Sequence, residues 1–296
     1  MTQVDLRRRE ADDAPAGIVS TLILRRIDAW GAAAVSAAIV LILHDAVAPR
    51  TTGLLASIAL LYWFGYTIND YFDAPFDACD DDKARSNFFV SHTIAPKVLA
   101  IVAVAVSVCL LAAFATFGVR GLAVFAIANL AMWGYSAPPI RLKSRPGLDL
   151  ITHGLFVLTF PYLVALLLVD VSWTRLDCLL LWLIFLTSVG GQLSQQIRDF
   201  DVDSRTDLNF TTTVGITTSI LWLRVTTVVT VLIAVLAIAQ GVIPGVVIVL
   251  GLVCLPVMFN RVTTRPGRKP SVQPSRWVAI AALLYSTVVV CSSLLN

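Results

Sequence analysis

The chain has 296 residues, 57% of them apolar and 14% charged, with a mean hydropathy of +0.82 and a formal net charge of +3. That composition excludes a soluble globular enzyme, and so modest a charge gives no footprint for nucleic acid, which is not expected as a partner. Five scattered cysteines, four of them inside apolar runs, show no CxxC or metal-ligand spacing and read as buried small hydrophobes.

In chain order, the first segment is polar, carries Arg7, Arg8 and Arg9, and lacks an apolar core with a cleavage site. It reads as a cytosolic tail over residues 1–22, ahead of a membrane domain over residues 23–296. Apolar windows of roughly 20 residues, enough to cross about 30 Å of hydrocarbon, then fall near 28–47, 52–69, 97–119, 121–136, 148–169, 177–197, 214–240, 242–260 and 276–295. The expectation is an all-α integral membrane protein of nine transmembrane helices. Runs this long and unalternating do not fit a membrane barrel.

Eighteen of the 22 Lys and Arg residues lie before the first window or after the second, fourth, sixth and eighth. The positive-inside rule therefore places the N-terminus in the cytosol and, with nine spans, the C-terminus outside. Localisation is expected in the cell membrane, with the loops after even-numbered spans cytoplasmic.

Two acidic segments end even-numbered spans: GYTINDYFDAPFDACDDDKAR at 65–85 and QLSQQIRDFDVDSRTD at 192–207. Together they hold ten of the nineteen acidic residues, all on one expected face. Asp70, Asp73 and Asp77 stand at i, i+3 and i+7, and Asp199 and Asp203 at i, i+4, each set one stripe of a helix. Gln192, Gln195 and Gln196 extend the second stripe toward the bilayer. Stacked carboxylates at membrane depth repel one another unless a cation lies between them. Hard divalent ions such as Mg²⁺ suit oxygen ligands and are held by a few carboxylates plus the phosphates of a substrate. Asp80, Asp81 and Asp82 read as a solvated loop end.

A basic complement follows the fourth window in YSAPPIRLKSRPGLD, residues 135–149. Pro138 and Pro139 end the helix, and in an extended chain Arg141, Lys143 and Arg145 would point one way. Lys83, Arg85, Arg198 and Arg205 accompany the acidic motifs. Cations interleaved with metal-binding carboxylates describe a diphosphate site. Arg25 and Arg26 read as topology signals.

NDYFDAPFD (69–77) and DFDVD (199–203), with the YSAPPIRLK loop, resemble the paired signatures of the UbiA superfamily of intramembrane prenyltransferases across essentially the whole chain. The resemblance implies a helical bundle around a central cavity, Mg²⁺ as cofactor, an isoprenyl diphosphate donor and a lipophilic acceptor within the bilayer. It implies metal ligands at Asn69, Asp70, Asp73, Asp77, Asp199 and Asp203, with Asp73, Asp199 and Asp203 catalytic. Lys83, Tyr135, Ser136, Arg141, Lys143 and Arg198 would then lie near the diphosphate. Where many members carry Arg-Pro after the first motif this chain has KARSNFFV (83–90), and Asp207 stands where glycine is frequent. The 135–149 segment with the Gln-rich sixth span is most similar to the lycopene elongase branch, implying a carotenoid acceptor.

Other readings stay open. The same scaffold serves aromatic or quinone-precursor prenyl transfer and terpene cyclisation, and intramembrane carboxylates also serve divalent-metal transporters. Asp149 and His153, at i, i+4, read as a hydrogen-bonded pair or as the acceptor of the departing proton. Arg224 either snorkels or meets the cavity. Trp63, Trp133 and Tyr135 read as interfacial anchors or as faces for positive charge.

Overall fold

The computed structural model describes residues 26–92 and 94–295, so the expected tail over residues 1–22 lies outside the described residues. Every apolar window is helical, and the start signals are local. Here α1 is Ile27–Leu43 and α2 is Pro49–Asp77, with Pro49 in its first turn, where a missing N–H costs nothing. Pro96 likewise opens α3, Pro96–Ala115, and α4 is Gly118–Ser136, ending just before Pro138. Next come α5, Leu148–Val169, and α6, Arg175–Thr206, which starts on a capping box between Thr174 and Asp177. The last three are α7, Ile216–Ala239; α8, a pair Gly245–Val253 and Leu255–Val262 bent by 45°; and α9, Gln273–Leu295.

The nine expected spans need correcting. Among the described residues, six helices are long and apolar enough to cross a membrane, and seven if the bent pair α8 is one span. The two windows that fall short do so for physical reasons. Helix α1 has 17 residues, about 26 Å at 1.5 Å per residue. Helix α4 carries Arg120 and Asn129 and ends on Tyr135 and Ser136, which dilute its apolar content.

The core lies where α1 meets α2, α5 and α9. Ala33 and Ala37 of α1 are fully buried, and such small side chains let neighbouring helix axes approach closely. Within α5 a π turn, Leu155–Thr159, loosens the backbone ladder, and neighbours engage its carbonyls: Ser36 Oγ donates to Leu158 O at 2.7 Å and Tyr62 Oη to Phe156 O. Outer faces carry Ile101, Leu130, Trp182, Leu232 and Leu284, all exposed, as lipid contact requires. Cys109, Cys178 and Cys291, within apolar helices, are exposed rather than buried, a lipid-facing position being as apolar as a core, and Cys79 is exposed at the acidic end of α2.

At the end of the bundle opposite the acidic motifs, Asp177 is buried and accepts from Tyr162 Oη at 2.7 Å and Thr174 Oγ1 at 2.6 Å, with His44 Nε2 at 3.1 Å. That network anchors the start of α6. Arg224 of α7 donates to the Thr264 carbonyl at 2.6 Å, just beyond the end of α8.

Candidate active site at the acidic helix ends

Both acidic motifs are helical to their ends, because α2 runs through Asp77 and α6 through Thr206. Their carboxylates stand on helix faces at the same end of the bundle, joined by two basic bridges. Lys83, from the short helix Asp81–Ser86 that follows α2, places Nζ 2.7 Å from Asp203 Oδ1 on α6. Asp77 and Asp199 also lie within electrostatic reach of that ammonium. Arg141 spans the motifs a second time, 3.5 Å from Asp73 and 3.6 Å from Asp207.

The first motif is organised around Asn69 and Asp73. Asn69 Nδ2 donates to Asp73 Oδ2 at 2.9 Å, while Asn69 Oδ1 accepts from Ser136 Oγ and from Lys143 Nζ, each at 3.0 Å. Lys143 also pairs with Asp73. Lys143 is well buried, and that burial lowers its pKa below the ordinary lysine range despite the opposing pull of Asp73. Lys83 behaves oppositely: burial again lowers, but Asp199 and the hydrogen bond to Asp203 outweigh it, and its pKa is raised. One lysine is thus held by two carboxylates of the second motif, the other by one of the first.

The basic loop is not extended as its alternation predicted. Residues Leu142–Ser144 form a 3₁₀ turn entered through Arg141 at φ 36°, so the three cations do not share a direction. Arg145 turns to solvent and donates to the Ile140 carbonyl at 2.9 Å, whereas Arg141 lies 4.2 Å above the Phe76 ring and donates to Ser144 Oγ at 2.8 Å. Two cations of the loop therefore reach the motifs. Tyr135 is half-buried within electrostatic reach of Asp73 and Asp207, and Arg198 Nε sits 3.2 Å from its neighbour Asp199.

Asp70 is brought to a different partner, pairing through both oxygens with Arg26 at the start of α1. Sequence reasoning missed that role for Arg26, since 44 residues separate the two and nothing local announces the contact. It also missed Asn87, which is buried and donates through Nδ2 to Asp77 Oδ2 and to the Asp70 carbonyl, both at 2.8 Å. The available signal was an asparagine N-cap, because Asn87 Oδ1 accepts from Phe89 N at 2.9 Å.

Asp149 does not pair with His153. Its carboxylate accepts from Gln196 Nε2 at 2.6 Å, Phe210 N at 2.7 Å and Leu150 N at 2.9 Å, while Gln196 Oε1 accepts from Thr211 N and Thr211 Oγ1. This buried joint ties α5, α6 and the segment after the second motif together, so Asp149 positions that motif's end rather than facing the bridges.

The sequence matches the UbiA prenyltransferase family over residues 29–280. The chain belongs to that family, and prenyl transfer is its activity. Similar folds occur in a UbiA homologue from Archaeoglobus fulgidus bound to GPP and Mg²⁺ (TM-score 0.70, 18% identity, 92% of this chain and 99% of that one covered). The homologue from that organism bound to DMAPP and Mg²⁺ gives 0.69 and 18% over the same shares. An apo UbiA homologue from Aeropyrum pernix K1 gives 0.66 and 16%, over 91% of this chain and 98% of that one. No curated protein matches the sequence.

Proposed function

We propose that this protein transfers an isoprenyl group from an isoprenyl diphosphate to a lipophilic acceptor within the bilayer, with Mg²⁺ as cofactor. The observation that carries the reading is the double basic bridge, Lys83 to Asp203 and Arg141 between Asp73 and Asp207, joining motifs from two helices. A simple acidic channel mouth for cation passage would not be stitched by lysine and arginine.

The donor set suits Mg²⁺, since Asn69, Asp73, Asp77, Asp199 and Asp203 offer only hard oxygens. Among the described residues no three acidic, His or Cys side chains converge as a closed metal cage. That fits an ion whose shell is completed by water and by the oxygens of a phosphorylated substrate. When bound, Mg²⁺ supplies electrostatic stabilisation of the leaving diphosphate. Lys83, Arg141 and Lys143 offer donors to the same oxygens, and Ser136 with Asn69 fixes the position of Lys143. The apolar helix walls exclude water, which would otherwise capture the allylic cation.

The bound ligands of the Archaeoglobus homologue support the donor and metal assignments, and the family assignment supports the central cavity. An N-terminus in the cytosol and a C-terminus outside, with the acidic helix ends on the cytosolic side, are supported by the Lys and Arg distribution, with residues 23–296 as one membrane domain. The carotenoid acceptor, lycopene in particular, rests on the 135–149 segment and the Gln-rich α6. Purified protein in detergent, given geranylgeranyl diphosphate, Mg²⁺ and lycopene, should release pyrophosphate and form a prenylated carotenoid detectable by mass spectrometry. Pyrophosphate release with no acceptor consumed would instead indicate cyclisation. Metal flux in liposomes without pyrophosphate release would indicate transport.

A further inference from the structure

In the last turn of α8, Arg261 is 7% exposed. Among the described residues its guanidinium has no carboxylate, carbonyl or hydroxyl at hydrogen-bond distance. A buried guanidinium without a counter-charge is costly and is retained where something pairs with it. Space has been made for it on α6: a methyl group added to Gly190 would stand 2.8 Å from Arg261 Nη1, and one on Gly191 3.3 Å from Nη2. Thr226 of α7 borders the same surface. The half-buried His153 imidazole of α5 lies within electrostatic reach of Arg261 and likewise has no hydrogen-bond partner among the described residues. Four helices thus converge on a cationic spot that, among the described residues, contains no acid.

We propose that Arg261, with His153 and the Gly190–Gly191 surface, forms a second anion-binding site that takes the carboxylate or phosphate of an amphiphile lodged in the bundle. The site is distinct from the acidic tips. Gly190 precedes Asp199 by about 13 Å along α6, too deep for a diphosphate held at Asp203 to reach it. It lies toward the same end of the bundle, since Lys269, just beyond α8, pairs with Asp201 at 3.2 Å. Trp222, Leu255 and Phe259 on the outer faces of α7 and α8 are exposed, so lipid surrounds this corner and an amphiphile is the anion best able to arrive there. The inference does not depend on the donor or acceptor assignments.

The test is thermal unfolding of the full chain in a neutral detergent with added phosphatidylglycerol, palmitate or inorganic phosphate. At least one of these should raise the wild-type Tm by several degrees, and Arg261→Met should abolish that shift. Response to phosphatidylglycerol alone identifies a lipid headgroup, and response to palmitate alone identifies a carboxylate-bearing amphiphile such as an acceptor. A response to inorganic phosphate alone would overturn the amphiphile, and equal responses in wild type and variant would overturn the site. Without added anion, Arg261→Met should unfold no earlier than wild type, because it removes an unpaired charge; a merely structural arginine would give a large loss. Should that variant not fold, Gly190→Ala keeps the charge but crowds the guanidinium. It should need at least tenfold more anion for the same shift, and an unchanged titration would overturn the placement.

Discussion

At the scale of single residues, the site separates groups by what their side chains touch. Asp73 meets Asn69, Lys143 and Arg141, so it faces both the proposed metal donors and the diphosphate cations. Asp73→Ala should lower turnover by about 10²-fold or more while leaving the protein extractable and folded, as size-exclusion profiles will show. Lys143 carries one charge to that cluster, and a charge-assisted hydrogen bond contributes about 1.5–3 kcal/mol. Lys143→Ala should therefore raise the Michaelis constant for donor by roughly ten- to a hundredfold, with a smaller change in the maximal rate. Arg26 answers the buried Asp70 instead. Arg26→Ala should cost about 1–3 kcal/mol in unfolding, less than a fully enclosed pair, because the Arg26 side chain is 36% exposed. A thermal scan of the variant reads that loss directly.

Among helices, α3 and α4 approach closely at the turn that joins them, where a methyl group on Gly121 would collide with the Phe114 carbonyl oxygen. Backbone cannot yield as a side chain does, so Gly121→Ala should destabilise by about 1–3 kcal/mol, seen as a lower Tm with little change in donor affinity. Asp149→Ala should act differently. It strands the N–H groups of Leu150, Phe210 and Gln196, slackening the end of the second motif, and should lower the maximal rate as well as the Tm. Helix existence was legible in the sequence because apolar runs this long have few alternatives in a membrane, and the motif stripes were legible from the 3.6-residue period. What was not legible depends on distant contacts. Arg26 looked like a topology signal, Asp149 and His153 looked like a pair by spacing alone, and the alternation of Arg141, Lys143 and Arg145 gave no warning of a 3₁₀ turn. Span number was overestimated since α1 and α4 are helical yet too short or too polar to pass as crossings.

For the molecule as a whole, the oxygen-only donor set implies that chelation with EDTA should abolish pyrophosphate release, and that Mg²⁺ should restore it without refolding. Ca²⁺, with its larger and looser shell, should restore less. The two halves that meet at the site are also held by different contacts. Beyond α6 the chain is clamped by three hydrogen bonds, from Phe210 N to Asp149 and from Thr211 N and Oγ1 to Gln196, which itself donates to Asp149. Beyond α2 the chain passes into two helices of six and four residues, pinned by Asn87 and hooked across by Lys83. Helices of six and four residues hold few hydrogen bonds of their own, so the segment beyond α2 depends on Lys83 and Asn87 for its position. Amide hydrogen exchange should run faster over residues 79–92 than over 207–212, and quicken further in Lys83→Ala, where the hook across the gap is cut.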